Sequence, residues 1–138
     1  MNGKERVNLS KVIEKMNLVN LTPDIDVKGI WIHVPEFNRP ALQLTGFYDQ
    51  FDNDRIQIIG NVEYSYLKSL SETERFERYM QLLSSNIPCL IFCRNLEPEP
   101  EIIELAKKYQ IPILKSEEST SSFSAEVIRW LKVQLAPC

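Results

Sequence analysis

Glycine is scarce. The chain of 138 residues holds only 4, and they stand apart at Gly3, Gly29, Gly46 and Gly60. Gly-rich loops that cradle phosphates need several glycines close together, so no P-loop or dinucleotide fingerprint is written here. Histidine and cysteine are also sparse, at 1 and 3. No second Cys/His pair exists to join Cys89 and Cys93 in a four-ligand zinc site. Basic excess is missing as well: Lys+Arg total 16 against 19 Asp+Glu, a net charge of -3. A general nucleic-acid binder usually carries the opposite balance. No stretch approaches the roughly 20 apolar residues needed to cross a bilayer. Met1–Val12 has no apolar segment of the kind a secretory leader requires. What is present is ordinary: 43% hydrophobic and 25% charged residues, near the averages for globular proteins. The length suits one domain spanning 1–138, and the odd cysteine count points to free thiols in a reducing cytoplasm.

The few chemically distinctive residues have structural readings. Cys89 and Cys93 flank Leu90-Ile91-Phe92. In a strand, residues at that spacing share a face, so both thiols are expected in one core layer, as small hydrophobes. Half a metal site and a redox pair are the alternatives, and the first lacks its second half. Cys138 is expected to be terminal and mobile. His33 ends the alternation Ile30-Trp31-Ile32-His33 and is expected at the surface; any Ser–His or Cys–His chemistry would have to use it.

Periodicity then lays out the elements. Leu9, Val12, Ile13 and Met16 have helical spacing, with Asn8 or Ser10 as cap. Leu18–Leu21 and Gly29–Val34 read as strands. Pro35 and Pro40 bracket an irregular stretch, and Ala41–Phe51 reads as a short helix followed by an aromatic-rich loop. Arg55–Ile59 is β-branched and reads as a strand. Helices follow at Val62–Leu70 and from Ser71 to Leu83, the second opening on a capping box of Ser71 and Glu74 with Phe76, Tyr79, Met80 and Leu83 as its stripe. Ile87–Cys93 is the most apolar run, as befits a strand covered on both faces. A helix around Ile102–Tyr109, a strand at Ile111–Leu114 and a helix from about Ser122 to Leu135 complete the chain. Strand–helix alternation in the second half predicts βαβ crossovers. The expected fold is a three-layer α/β/α domain with a mostly parallel sheet.

Ligands of open α/β sheets sit beyond the C-terminal strand ends. The segments there are Cys93-Arg94-Asn95, Lys115–Ser124 and Gly60-Asn61. Thr120-Ser121-Ser122 enters a helix and can meet an anion; capping of that helix by one of the three hydroxyls is the favoured alternative. The polar residues between Arg39 and Gly46 either line a groove or fix a loop. The carboxylate pairs Glu72/Glu74, Glu99/Glu101 and Glu117/Glu118 read as solvated ends, so no catalytic or metal-binding constellation is expected. Candidate ligand or interface residues are Arg39, Gln43, Thr45, Gly46, Arg55, Arg94, Thr120 and Ser121. Phe37, Phe47, Tyr48 and Phe51 cluster in sequence, either as an assembly surface or as core.

The run Arg39-Pro40-Ala41-Leu42-Gln43-Leu44-Thr45-Gly46-Phe47 resembles the signature of the HPr kinase/phosphorylase N-terminal domain. Arg55–Gly60 with Glu63 and Tyr66-Leu67, Ile87–Ile91, Arg94–Pro98, Ile111–Leu114, Thr120–Phe123 and Leu135-Ala136-Pro137 follow in that family's order. Ala41 replaces its usual Gly, which implies a backbone there that is not left-handed. The resemblance implies a bifunctional bacterial enzyme of carbon catabolite repression. It phosphorylates a serine of the phosphocarrier HPr with ATP or pyrophosphate and Mg2+, and removes that phosphate by phosphorolysis. It implies a hexamer, and a catalytic P-loop domain C-terminal to this one and absent from this chain. It further implies a fold similar to the first domain of muramyl peptide ligases. On this reading the chain alone is an inactive assembly or regulatory domain, whose partners are its own C-terminal kinase domain and HPr. The alternative is a free-standing module of the DRTGG type that senses a nucleotide or sugar phosphate.

Overall fold

A computed structural model describes residues 5–137; Gly3 and Cys138 lie outside them. The elements in chain order are β1 (Val7–Asn8), α1 (Leu9–Lys15), β2 (Val19–Asn20), a 3-10 turn (Val27–Gly29), β3 (Trp31–Ile32), β4 (Phe37–Asn38), α2 (Ala41–Leu44) and β5 (Ile56–Ile59). Then come α3 (Asn61–Ser69), α4 (Glu72–Leu83), β6 (Leu90–Phe92), α5 (Pro100–Tyr109), β7 (Ile113–Lys115) and α6 (Thr120–Leu135).

Local chemistry sets many of the boundaries. Asn8 caps α1 by accepting from the Ser10 N–H at 3.0 Å, and Ser71 caps α4 by accepting from the Glu74 N–H at 3.2 Å. Pro100 opens α5, where its missing N–H costs nothing. Gln110 then ends α5 in the left-handed conformation, φ 59° and ψ 45°. Ala41 starts α2 as an ordinary helical residue, in keeping with the expectation drawn from its replacement of glycine.

The main sheet has the order β2-β7-β6-β5-β4. Strands β4 to β7 are parallel neighbours, and β2 closes the β7 edge antiparallel. In register, Ile58 stands beside Ile91 and Ile91 beside Leu114. Alternation along the strands then divides the interior into two layers. Ile56, Ile58, Cys89, Ile91, Cys93 and Leu114 pack with Leu9 and Val12 of α1 and with Phe123, Val127 and Leu131 of α6. Ile59, Leu90, Phe92 and Ile113 face the other way, onto α2, α3, α4 and α5. Crossovers of one hand between successive neighbouring strands place α2 to α5 together on one face, leaving α1 and α6 for the other. This is the expected three-layer α/β/α arrangement. Burying a large apolar side chain stabilises by roughly 1.5–3 kcal/mol, so the two layers hold the sheet rigid beneath the loops at its ends.

Four expectations are corrected. Gly29–Val34 is not a strand of the main sheet: only Trp31–Ile32 is extended, and it pairs with β1 in a separate two-stranded ribbon. The stretch between Pro35 and Pro40 is not wholly irregular, because β4 docks in parallel on β5 through Phe37 and Ile56. On α4, Leu82 joins Tyr79 and Leu83 in the core while Phe76 stays 41% exposed, so the stripe is rotated toward Leu82. Glu99 is not a solvated helix end. It is buried beneath α4 and accepts from the Tyr79 hydroxyl at 2.7 Å, with Lys68 at 3.5 Å and Arg75 at 3.8 Å.

The Tyr79–Glu99 bond yields a prediction. Burial, helped by the Glu99 charge, raises the Tyr79 phenol, which stays a donor at all ordinary pH. Tyr79→Phe removes that donor and leaves one more buried carboxylate oxygen unpaired, since Glu99 Oε2 already has no hydrogen bond. The expected loss is about 1–2 kcal/mol, read from the midpoint of urea unfolding.

Candidate functional site

The parallel strands β4 to β7 end on one side of the sheet, and the loops there form a cleft of about 430 Å³. Phe37, Arg39, Asn61, Val62, Arg94, Thr120, Ser121 and Ser124 line it. Arg39 follows β4, Gly60 and Asn61 follow β5, Arg94 follows β6, and Thr120 lies beyond β7 at the start of α6. The sheet's direction thus gathers groups distant in sequence.

One pair fixes the inner wall. Glu63 is 3% exposed and accepts from Arg39 Nε at 3.0 Å and Arg39 Nη2 at 2.7 Å. The same carboxylate accepts from the Gly60 N–H at 2.8 Å. Gly60 has no side chain, so this is only the reciprocal half of a capping box. It still satisfies one orphan donor at the α3 entry. Gly60 allows a close approach: a Cβ there would sit 2.6 Å from both Arg39 Nη2 and Thr120 Oγ1 and would displace those side chains. The side chains of Arg39 and Thr120 therefore close over bare backbone.

The outer wall is the entry of α6. Ser119, not Thr120, Ser121 or Ser122, is the cap; its hydroxyl accepts from the Ser122 N–H at 3.1 Å. Thr120 and Ser121 line the cleft, the Ser121 hydroxyl 3.4 Å from that of Ser119, and α6 starts earlier than the periodicity indicates. Arg94 holds its backbone in the left-handed region at φ 58°, pinned by donation from its N–H to the Glu118 carbonyl at 2.8 Å. Among the described residues its guanidinium has no acidic partner. Below the cleft, burial pushes the Cys93 thiol up to about 11, while the Arg39 charge and the Thr120 hydroxyl pull it the other way. Burial pushes Cys89 up to about 12. Both thiols sit in the core layer under α1 and α6, as their spacing indicates.

Of the candidate residues, Arg39, Arg94, Thr120 and Ser121 converge on the cleft. The others lie elsewhere. Gln43 is buried and accepts from Asn38 Nδ2 at 3.3 Å. Thr45 donates from its hydroxyl to the Leu42 carbonyl at 2.7 Å at the end of α2. Gly46 turns the chain at φ 99° beside Arg78. Arg55 precedes β5, at the opposite end of the sheet, 3.6 Å from Asp52. The wall residues Val62 and Glu63 carry no role in the sequence reading, and Phe37 enters it only as a member of the aromatic group, although Gly60 followed by Glu63 at the head of a helix is itself a capping signal. His33 is exposed. Of the aromatic group, Phe37 and Phe51 pack against the two core layers, Tyr48 meets Phe51 edge-on at 5.5 Å, and Phe47 is 51% exposed.

Comparison with known proteins places this architecture. The family described as HPr Serine kinase N terminus matches residues 7–131. An HPr kinase/phosphorylase of Lachnoclostridium phytofermentans is 52% identical over 131 residues, covering 95% of this chain and 42% of that protein. One from Caldicellulosiruptor bescii is 40% identical over 129 residues, covering 94% and 42%. The chain thus spans less than half the length of these curated relatives. A solved structure of the CBS and DRTGG domains of the regulatory region of Clostridium perfringens pyrophosphatase, complexed with its activator diadenosine tetraphosphate, aligns with a TM-score of 0.57. It shares 17% identity and covers 88% of this chain and 46% of that one, a likeness of fold. The matched span runs from β1 to α6 and includes every strand and every residue of the cleft, so the chain belongs to the HPr serine kinase N-terminal domain family.

Proposed function

We propose that this chain is the N-terminal assembly and regulatory domain of a bifunctional HPr kinase/phosphorylase. The observation that carries the reading is the match along residues 7–131 to relatives of which it covers only 42%. These identities outweigh the fold-only likeness to the DRTGG domain. In the intact protein, phosphoryl transfer between ATP or pyrophosphate and a serine of HPr takes place on a following P-loop domain. This domain positions that kinase domain within a cytoplasmic homo-oligomer, a hexamer as in the family.

The residues support a division of labour. Among the described residues, no group of three or more His, Cys, Asp or Glu side chains stands ready to hold a metal ion, and the glycines are not grouped into a phosphate loop. The reading is tested by following the coding frame past the codon for Cys138. A Gly-rich P-loop ending in Gly-Lys-Ser or Gly-Lys-Thr within a few dozen codons is expected. A stop codon, or an unrelated domain, would overturn it.

A further inference from the structure

We infer that the cleft between the α3 and α6 entries binds a small phosphorylated organic molecule, its phosphate held by Arg94, Thr120 and Ser121 and its organic part against Phe37 and Val62.

Four features of the cleft converge on this chemistry. Arg94 is an exposed guanidinium beside a cavity, with no carboxylate partner among the described residues. Arg39 gives its Nε and Nη2 donors to Glu63 and keeps Nη1 free of hydrogen bonds among the described residues. Glu63 is itself paired with Arg39, so among the residues that line the cleft the uncompensated charge is that of Arg94. Two helices of nine and sixteen residues begin at this one cleft. The N–H groups of Asn61, Val62, Thr120 and Ser121 find no protein acceptor among the described residues, as expected in a first helical turn. Beside these polar groups, Val62 is 69% exposed and the partly buried Phe37 also lines the cleft. A bare anion has no use for such an apolar flank. The volume of about 430 Å³ lies in the range of small-molecule sites. Arg94 also lines a second depression, together with Glu117 and Ser119.

Isothermal titration of the purified chain with AMP and with inorganic phosphate tests the inference. Arg94→Asn is the informative variant, because Asn tolerates the left-handed backbone and the exposed side chain has no partner to lose. Arg129→Ala removes one exposed positive charge from α6 outside the cleft and serves as the control. Saturable AMP binding is expected, tighter than phosphate, weakened about 10-fold or more by Arg94→Asn and changed by less than about 2-fold by Arg129→Ala. An unchanged melting temperature in both variants shows the fold intact. Absence of saturable AMP binding, equal binding by phosphate and AMP, or equal binding by Arg94→Asn and the unmodified chain would each overturn the inference.

Discussion

Glu63→Ala is expected to destabilise the domain by about 2–4 kcal/mol. One carboxylate does three things: it accepts twice from Arg39 and once from the Gly60 backbone. Removing it strands a guanidinium that is 35% exposed and orphans a buried N–H. Breaking a fully buried ion pair costs about 3–5 kcal/mol. Solvent reaching Arg39 lowers that figure, and loss of the Gly60 bond adds about 1 kcal/mol. Glu63→Gln keeps the shape and one acceptor, so its loss is expected to be roughly half as large. Urea unfolding of the three proteins side by side measures this. A loss below about 0.5 kcal/mol for Glu63→Ala, the level of an ordinary surface change, would mean the pair is incidental to the fold.

Phe123→Ala is expected to cost about 3–5 kcal/mol. Phe123 is 1% exposed and packs in the layer beneath α6 with Cys93, Ile91 and Val127. It also lies in the first turns of α6, directly after the residues that line the cleft. The deleted ring leaves a void under the helix entry, and the lining loses its dispersion contacts. The damage is therefore expected to be local as well as global. Amide hydrogen exchange at Ser122–Val127 should rise more than at Ile102–Ala106 of α5, which packs on the opposite face. Equal acceleration in both helices would show that Phe123 does not specifically anchor the cleft wall. By contrast, Tyr79→Phe disturbs a hydrogen bond on the far face and should leave exchange at the cleft unchanged.

Legibility in the sequence depended on how far each feature's cause lies along the chain. Strands β5, β6 and β7 declare themselves through apolar runs of a few residues, and their rank order follows from the strand–helix alternation. Strand β4 has two residues between prolines, and it is a strand because β5 offers a partner, not because Phe37-Asn38 has strong propensity. Trp31-Ile32 shows the alternation of a strand, yet alternation cannot name the partner, which is Val7-Asn8. Glu99 reads as a solvated helix cap because its local sequence is acidic and Pro-rich; Tyr79, twenty residues earlier, buries it. The same holds at the site. Arg94, Thr120 and Ser121 were legible because they follow parallel strands. The Arg39–Glu63 clamp spans 24 residues, and Gln43 turns inward to an amide cluster with Asn38 and Gln57. Neither fact is encoded in spacing along the chain.

The scarcity of glycine finds its structural counterpart here. Gly60 and Gly46 serve close approach and a turn. The proposed function puts phosphoryl transfer on a following domain and not on these residues. Incubating the purified chain with HPr, Mg2+ and either ATP or pyrophosphate, and resolving phosphorylated from free HPr by mass spectrometry, tests that claim most directly. The account predicts no phosphoserine on HPr above the level of a control without the chain. Time-dependent serine phosphorylation that scales with the amount of chain added would contradict it.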